Sequence, residues 1–396
     1  MSNRESTASR ITASDESAVR ATRSIHQDTL NQSTVDFLTV TKLCRRGLPP
    51  VYRPTFWKLI MGFYPLKSSK WASVEERAVS EYDRITSSIC EIDEDGCITC
   101  ENELTRIIDL DIPRTMPDLV FFTTESGDVK DAHRESGGHV DPEKECCSVQ
   151  HYTRTQKALK RIIYMIASVN KGLGYVQGMN EFVGLLLYAF CEESNEHFTR
   201  HIEASTFFCF QTLLTFLGDD FCRLLDDDHT TGVISTVRHF DNVVRFFDPE
   251  LFYHLEKLGV CAEQYALRWI MLLFIQEFNI VDSLRVWDFL LSFGDQLRNT
   301  TMFVAAAMIH SLRDILLQQD SLSDVIPMLH HFPEGNVNPF LKIAMRWILK
   351  YGIDFTSKIK RCTVEEIIDL RCEHGLEKRG LKKAVSKWVS TFWGEE

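Results

Sequence analysis

Apolar residues recur at three- and four-residue spacing along most of this chain. Between Thr155 and Val169, the residues Ala158, Leu159, Ile162, Ile163, Ile166 and Val169 fall on one face of a predicted amphipathic helix. Asn170, Gly172 and Gly174 tolerate a left-handed backbone and predict where that helix stops. Phe182 to Cys191 is apolar on every side, and a helix with no polar face is usually buried within a larger domain. Tyr175 and Gln177 therefore fall on a glycine-flanked turn at the mouth of a buried helix. The unpaired N–H groups and partial positive charge of such a helix end suit a phosphate or another anion. On these residues alone the plainer reading is that Gln177 caps the turn and Tyr175 packs on the core.

The same period predicts helices on both sides. Upstream, Tyr52, Phe56, Leu59 and Ile60 share a face, with Pro54 in a first turn where it is tolerated. Trp71–Cys90 and Glu103–Asp111 follow, the latter ended by Pro113 because the residue before a proline is pushed out of helical geometry. Downstream come Phe198–Leu217, Thr231–Phe247, Pro249–Leu258, Gln264–Phe278, Val281–Phe293, Met302–Leu317 and Val364–Cys372. No segment sustains a two-residue alternation, and no repeat of fixed period is found. The expected fold is all-α: one large helical domain over residues 39–355, a disordered N-terminal tail over 1–38 and a helical C-terminal segment over 356–396. The tail is predicted from a Ser-, Thr-, Arg- and Asp-rich composition, with order beginning near Val40.

Charge changes the picture in two places. Residues 123–150 carry seven acidic against three basic side chains and read as a solvated insertion into the domain. The net charge of −12, without a basic stripe, argues against nucleic acid as a partner. No apolar run is long enough to span a bilayer, and the first forty residues lack a signal-peptide core. The scattered cysteines, several within apolar helical patterns, read as buried thiols. Near the C-terminus, Leu381, Val385, Trp388 and Phe392 form an apolar stripe with Lys382, Lys383 and Lys387 off it. Over 379–393 a helix of this kind can lie on a membrane surface or dock on its own domain.

Several motifs carry candidate chemistry and most are weak. Around Gly96, an EF-hand register would place Glu91 at the first position and Asn102 at the twelfth, so the loop lacks its bidentate glutamate; Asp95-Gly96 reads as a turn. Cys97-x-x-Cys100 has no second pair at zinc spacing, since Cys146-Cys147 are adjacent. The cluster Asp219, Asp220, Asp226, Asp227 and Asp228 has no His or Cys at ligand spacing and reads as helix-end charge. No metal is expected. Arg114 stands between Pro113 and Pro117 on a short, stiff turn just past a helix end. It either complements the helix dipole or is held ready for a second molecule.

Taken together, Arg53-x-x-x-Trp57, Ile108-x-x-Asp111-x-x-Arg114 and Tyr175-x-Gln177-Gly178-Met-Asn180 resemble, in order, three signature boxes of the TBC domain of Rab GTPase-activating proteins. Gly47-Leu-Pro-Pro, Trp269–Phe278 and Arg285-Val-Trp287-Asp288 resemble its flanking blocks, so the resemblance spans roughly residues 43–320. The stretch Gln276-Glu277-Phe278-Asn279 departs from it, standing where the family often has an Arg and a Pro. The resemblance implies that Arg114 is an arginine finger and Gln177 a glutamine finger, supplied in trans to a GTP-bound Rab. Arg53, Trp57, Ile108, Asp111, Tyr175, Gly178 and Asn180 would support them. It also implies that GTP and Mg²⁺ are carried by the partner, that this chain needs no cofactor, and that it works in the cytoplasm, with recruitment to endomembranes and a role in vesicle trafficking. The chain has no Gly-x-x-x-x-Gly-Lys-Ser/Thr loop, Gly-x-Ser-x-Gly elbow or His-Glu-x-x-His pair, so no self-contained reaction is expected. The alternatives are a Rab-binding scaffold that does not accelerate hydrolysis and a helical scaffold whose boxes only pack.

Overall fold

The structure, a computed structural model, describes residues 25–124, 152–191, 199–218 and 232–376. In chain order the helices are α1 (25–30), α2 (Phe37–Arg46), α3 (Arg53–Ile60), α4 (Trp71–Ile89), α5 (Glu103–Asp111), α6 (Val120–Thr123), α7 (Arg154–Val169), α8 (Met179–Cys191), α9 (Arg200–Leu217) and α10 (Val233–Phe247). They continue with α11 (Pro249–Lys257), α12 (Ala266–Met271), α13 (Ile280–Leu291), α14 (Leu297–Ser311), α15 (Arg313–Leu316), α16 (Leu322–His330), α17 (Asn338–Tyr351), α18 (Phe355–Ile359) and α19 (Val364–Glu373). Among the described residues β-pairing is limited to two isolated bridges, Thr34–Lys67 and Ile92–Ile98. The expected all-α class is what is found. No helix among the described residues is long and apolar enough to cross a membrane.

Two helices without a polar face organise the packing. In α8 every residue but Tyr188 and Cys191 is buried, and α3, α7 and α9 close around it. In α14 the run Thr300–Ile309 is wholly buried beneath α10, α12, α13 and α17. Neither could exist alone, because an all-round apolar helix is soluble only when neighbours cover it. Behind α8, the buried Glu203 of α9 accepts two bonds at 2.7 Å from Arg161 of α7, one at 2.8 Å from Tyr82 of α4 and one at 2.9 Å from Arg200. A carboxylate removed from water persists when its lone pairs are filled in this way. The network fixes α7, and α7 leads into the turn that carries Gln177.

The expected tail of 1–38 is shorter at its C-terminal end than composition suggests. Residues 25–30 are helical, His26 is buried and stacks on Tyr52 at 5.5 Å, and Val35 is buried with its N–H on Leu66 O at 2.8 Å. A few side chains docking on a ready-made surface are enough to order a segment whose average hydrophobicity is low. Residues 1–24 lie outside the described residues. At the other end, the boundary expected at residue 356 is not a boundary in packing. Asn242 of α10 donates to Ile359 O and Cys362 O at 3.1 and 2.9 Å, and Arg371 of α19 bonds Phe246 O. Residues 379–393, all but the first two residues of the 123–150 insertion, and the acidic cluster at 219–228 lie outside the described residues.

The largest correction concerns the helix expected over Gln264–Phe278. Residues 262–264 form a 3-10 turn, α12 stops at Met271, and turns follow to Phe278. Leu273 and Phe274 adopt φ of 47° and 66°, in the left-handed region that side chains with a Cβ normally avoid. The cause is tertiary. Leu273, Phe274 and Ile275 are all buried, and three consecutive helical side chains would point in three different directions. Breaking the helix turns all three inward. Trp287 Nε1 donates to Leu273 O at 3.1 Å, and Phe274 N donates to Trp269 O at 2.9 Å, which satisfies these backbone groups at the break.

Candidate functional site

Asn102 and Thr105 cap the start of α5 reciprocally, with side-chain to backbone bonds of 2.9 Å in both directions. At the far end Pro113 forces the chain into a 3-10 turn, Ile112–Arg114. Arg114 ends that turn exposed, and its guanidinium has no hydrogen-bond or ion-pair partner among the described residues. Met116 follows at φ 42°, a second strained point beside it.

Gln177 is presented by the turn between α7 and α8. Asn170 caps α7 at φ −101°, and its carbonyl accepts from Leu173 and Gly174 N–H at 2.9 Å. The left-handed residues are Gly174 at φ 64° and Gly178 at φ 99°, not Asn170 or Gly172 as the composition of the turn suggests. Gln177 is exposed between them without a side-chain partner among the described residues.

The two segments are tied to each other behind the exposed side chains. Tyr175 Oη donates to Asp111 Oδ2 at 2.6 Å and lies 3.4 Å from Asn180 Oδ1. Asn180 Nδ2 donates to Thr115 Oγ1 at 2.9 Å, and that hydroxyl donates to Asp111 O at 3.0 Å. Burial, with Asp111 adding its charge, pushes the Tyr175 phenol above its ordinary value, so it remains a donor to Asp111. Asp111 thus holds the turn of Arg114 through Tyr175 and has no cation as partner among the described residues. Gly184 of α8 lets the helix approach this corner, since a Cβ there would stand 2.9 Å from Thr115 Cγ2.

Asp111, Arg114, Gln177, Asn180, Leu272 and Gln276 are among the residues lining one cleft of about 470 Å³. Gly178 brings the Gln177 turn against the irregular segment after α12: a Cβ would meet Leu272 Cδ2 at 2.7 Å. Gly178→Ala therefore meets both a clash and a left-handed backbone. It is expected to cost about 1–3 kcal/mol and to displace Gln177. Urea denaturation and a GTP-hydrolysis assay check this; unchanged stability together with unchanged activity would refute it.

A second concavity of about 580 Å³ shares Arg114, Glu181, Arg268 and Gln276 with the first and adds Met116, Leu119, Ile275, Phe278 and Ile280. Glu181, in the first turn of α8, is buried, and Oε1 accepts from Gln276 Nε2 at 3.2 Å. Burial raises its carboxyl above the ordinary range, and the negative charge of Asp111 adds to that.

Of the remaining residues singled out from sequence, Arg53, Trp57 and Ile108 line neither concavity. Ile108 is fully buried on the core side of α5. Arg53 Nε and Trp57 Nε1 donate to Asp288 Oδ1 of α13 at 3.1 and 2.8 Å, and Trp57 packs on Trp287, which packs on Phe182 of α8. Thr115, Glu181 and Gln276 are site residues to which the sequence motifs do not point. Thr115 stands next to Arg114, but which side chain it meets depends on how α8 packs. The described part of the Cys97–Cys100 loop holds no cluster of metal ligands: Asp93 Oδ1 accepts from Cys97 N at 2.7 Å and serves the turn, with Gly96 at φ 80°.

Residues 139–317 match the family model of the Rab-GTPase-TBC domain, a range that takes in Gln177 and begins after Arg114. Mouse TBC1 domain family member 13 is 34% identical over 188 residues, covering 48% of this chain and 46% of the relative. The GTPase-activating protein gyp1 of Schizosaccharomyces pombe is 24% identical over 326 residues, covering 77% of this chain and 55% of the relative. The chain thus spans about half the length of these curated relatives. In fold it is similar to the crystal structure of the Ypt/Rab-GAP domain of Gyp1p, with a TM-score of 0.68 at 21% identity, over 84% of this chain and 99% of that one. By the domain matched over residues 139–317 and the shared helical architecture, the chain is similar to the Rab-GTPase-TBC domain family.

Proposed function

We propose that the chain is a GTPase-activating protein that stimulates GTP hydrolysis by a Rab-family GTPase, with Arg114 and Gln177 entering the partner's active site. The observation that carries this reading is the cleft itself. Two exposed side chains without partners among the described residues, from turns far apart in sequence, line one concavity while a hydrogen-bond network behind them holds their backbones. The network is preorganisation: orienting groups are worth most when their geometry is set before the partner arrives.

In the transition state of GTP hydrolysis, negative charge spreads over the transferred phosphoryl oxygens and an attacking water must be aligned. The planar guanidinium of Arg114 neutralises that charge bidentately. The neutral amide of Gln177 both donates and accepts, which suits it to orient the water. GTP and Mg²⁺ enter with the partner, and the chain performs no reaction by itself. The same reading assigns it to membrane trafficking, acting from the cytoplasm on GTPases carried by endomembranes.

The test is single-turnover GTP hydrolysis by a panel of purified Rab GTPases with the full chain added in increasing amounts, alongside binding to their GTP- and GDP-loaded forms. Acceleration of one or a few members is expected. GTP-dependent binding with no acceleration of any member would turn the reading into that of a scaffold. Neither binding nor acceleration would overturn it.

A further inference from the structure

The cleft contains a carboxylate that the two-finger chemistry does not use. Glu181 is 5% exposed, yet it lines both concavities. Its Oε1 has one bond, from the neutral amide of Gln276, and the carboxylate has no further hydrogen bond or ion pair among the described residues. Among the described residues no cation is paired with it. Arg268, which lines the same walls, is forked onto Glu277 at 2.6 and 2.9 Å and also bonds His330 O, so its charge is already matched. A buried carboxylate with one neutral partner is costly to keep, which makes it a place for a ligand. The second concavity also fits a particular ligand shape. Leu119, Ile275, Phe278 and Ile280 supply apolar wall, and the carboxylate supplies the polar end. A long side chain with an aliphatic stem and a cationic head has that division.

We propose that Glu181 is a partner-recognition residue that receives a lysine or arginine side chain of the GTP-loaded GTPase, with the stem lying along the apolar wall beside Arg114. This rests on the activating function proposed above and names one feature of the GTPase it selects. The nucleotide is not the ligand of Glu181, since phosphate and carboxylate repel. Gln276 is part of the device. A neutral amide there orients Glu181 without neutralising it and so leaves its charge for the partner. An arginine at that position would pair with Glu181 internally and close the site.

The experiment compares full-length wild type with Glu181→Gln and Gln276→Arg on the Rab that wild type accelerates most, reading half-saturating concentration, saturating rate and melting temperature. Glu181→Gln removes the charge and is expected to raise the half-saturating concentration about tenfold, with the effect concentrated there and not in the saturating rate. Gln276→Arg is expected to raise the half-saturating concentration to a similar extent while the melting temperature holds or rises. A purely structural role for Glu181 would not give a more stable protein that binds its partner less well. An unchanged half-saturating concentration in either variant, with wild-type acceleration intact, would overturn this inference and leave the activating function standing. A lower half-saturating concentration for Glu181→Gln would overturn it in favour of a latch in which Glu181 holds Arg114. No binding and no acceleration by wild type would overturn the activating function, and this inference with it.

Discussion

Exchange of Arg114 for alanine is expected to slow the accelerated hydrolysis at saturating protein by on the order of 10³-fold or more, the scale at which an arginine supplied in trans contributes to phosphoryl transfer. The charge on the transferred phosphoryl group is largest in the transition state, so the loss falls on the rate and not on binding of the GTP-loaded partner. Arg114→Lys is expected to lose most of the activity as well, because an ammonium keeps the charge but not the planar fork. Stability is the control that gives the result its meaning. Arg114 is exposed and has no side-chain partner among the described residues, so both variants should melt close to wild type, as surface substitutions away from special features do. Rates within about threefold of wild type for Arg114→Ala, on a GTPase that wild type accelerates, would remove Arg114 from the proposed mechanism.

The second large effect is on stability and lies away from the cleft. Asp288 of α13 is fully buried and accepts from Leu48 N at 2.9 Å, Trp57 Nε1 at 2.8 Å and Arg53 Nε at 3.1 Å. It thereby joins the segment before α3, α3 itself and α13 through one carboxylate. Burial raises its carboxyl from the ordinary value, and Arg53, with the donated hydrogen bonds, works in the opposite direction. Asp288→Ala leaves a buried guanidinium without its carboxylate and an indole N–H without its acceptor. Breaking one side of such a pair costs about 3–5 kcal/mol. That is a large fraction of the roughly 5–15 kcal/mol that holds a domain folded. Chemical denaturation measures it directly. A loss below about 1 kcal/mol would show that the network is replaceable by packing. Asp288 lines neither concavity, so the folded fraction of the variant is expected to keep the saturating rate of wild type.

These two residues separate what sequence and structure each decide. The helical class, the positions of α5, α7 and α8 and the end of α5 at Pro113 follow from local rules: apolar residues at helical spacing, and a ring that cannot continue a helix. Arg114 and Gln177 could be named from the sequence because they stand in ordered motifs on turns that local chemistry predicts. Their supports could not. That Tyr175 reaches Asp111, that Asn180 reaches Thr115, and that Arg53 and Trp57 serve Asp288 are contacts between residues 64, 65, 235 and 231 positions apart. Periodicity carries no information about which apolar face meets which.

The break after Met271 shows the same limit in the backbone. Leu272 to Phe278 has a helical pattern, and isolated propensity would let it continue. The helix ends there because burying Leu273, Phe274 and Ile275 together, with Trp287 taking a freed carbonyl, outweighs the cost of two left-handed residues. Its ending shapes the cleft, since Leu272 and Gln276 form part of its wall. By itself, then, the sequence determined the helical class, the helices α5, α7 and α8 and the stop at Pro113, and it pointed to Arg114 and Gln177. The tertiary structure decided which turns meet, where a helix must break to fill the core, and that Glu181 stands in the cleft with no cation paired to it among the described residues. Each of these depends on packing between distant segments, a term that no local window contains.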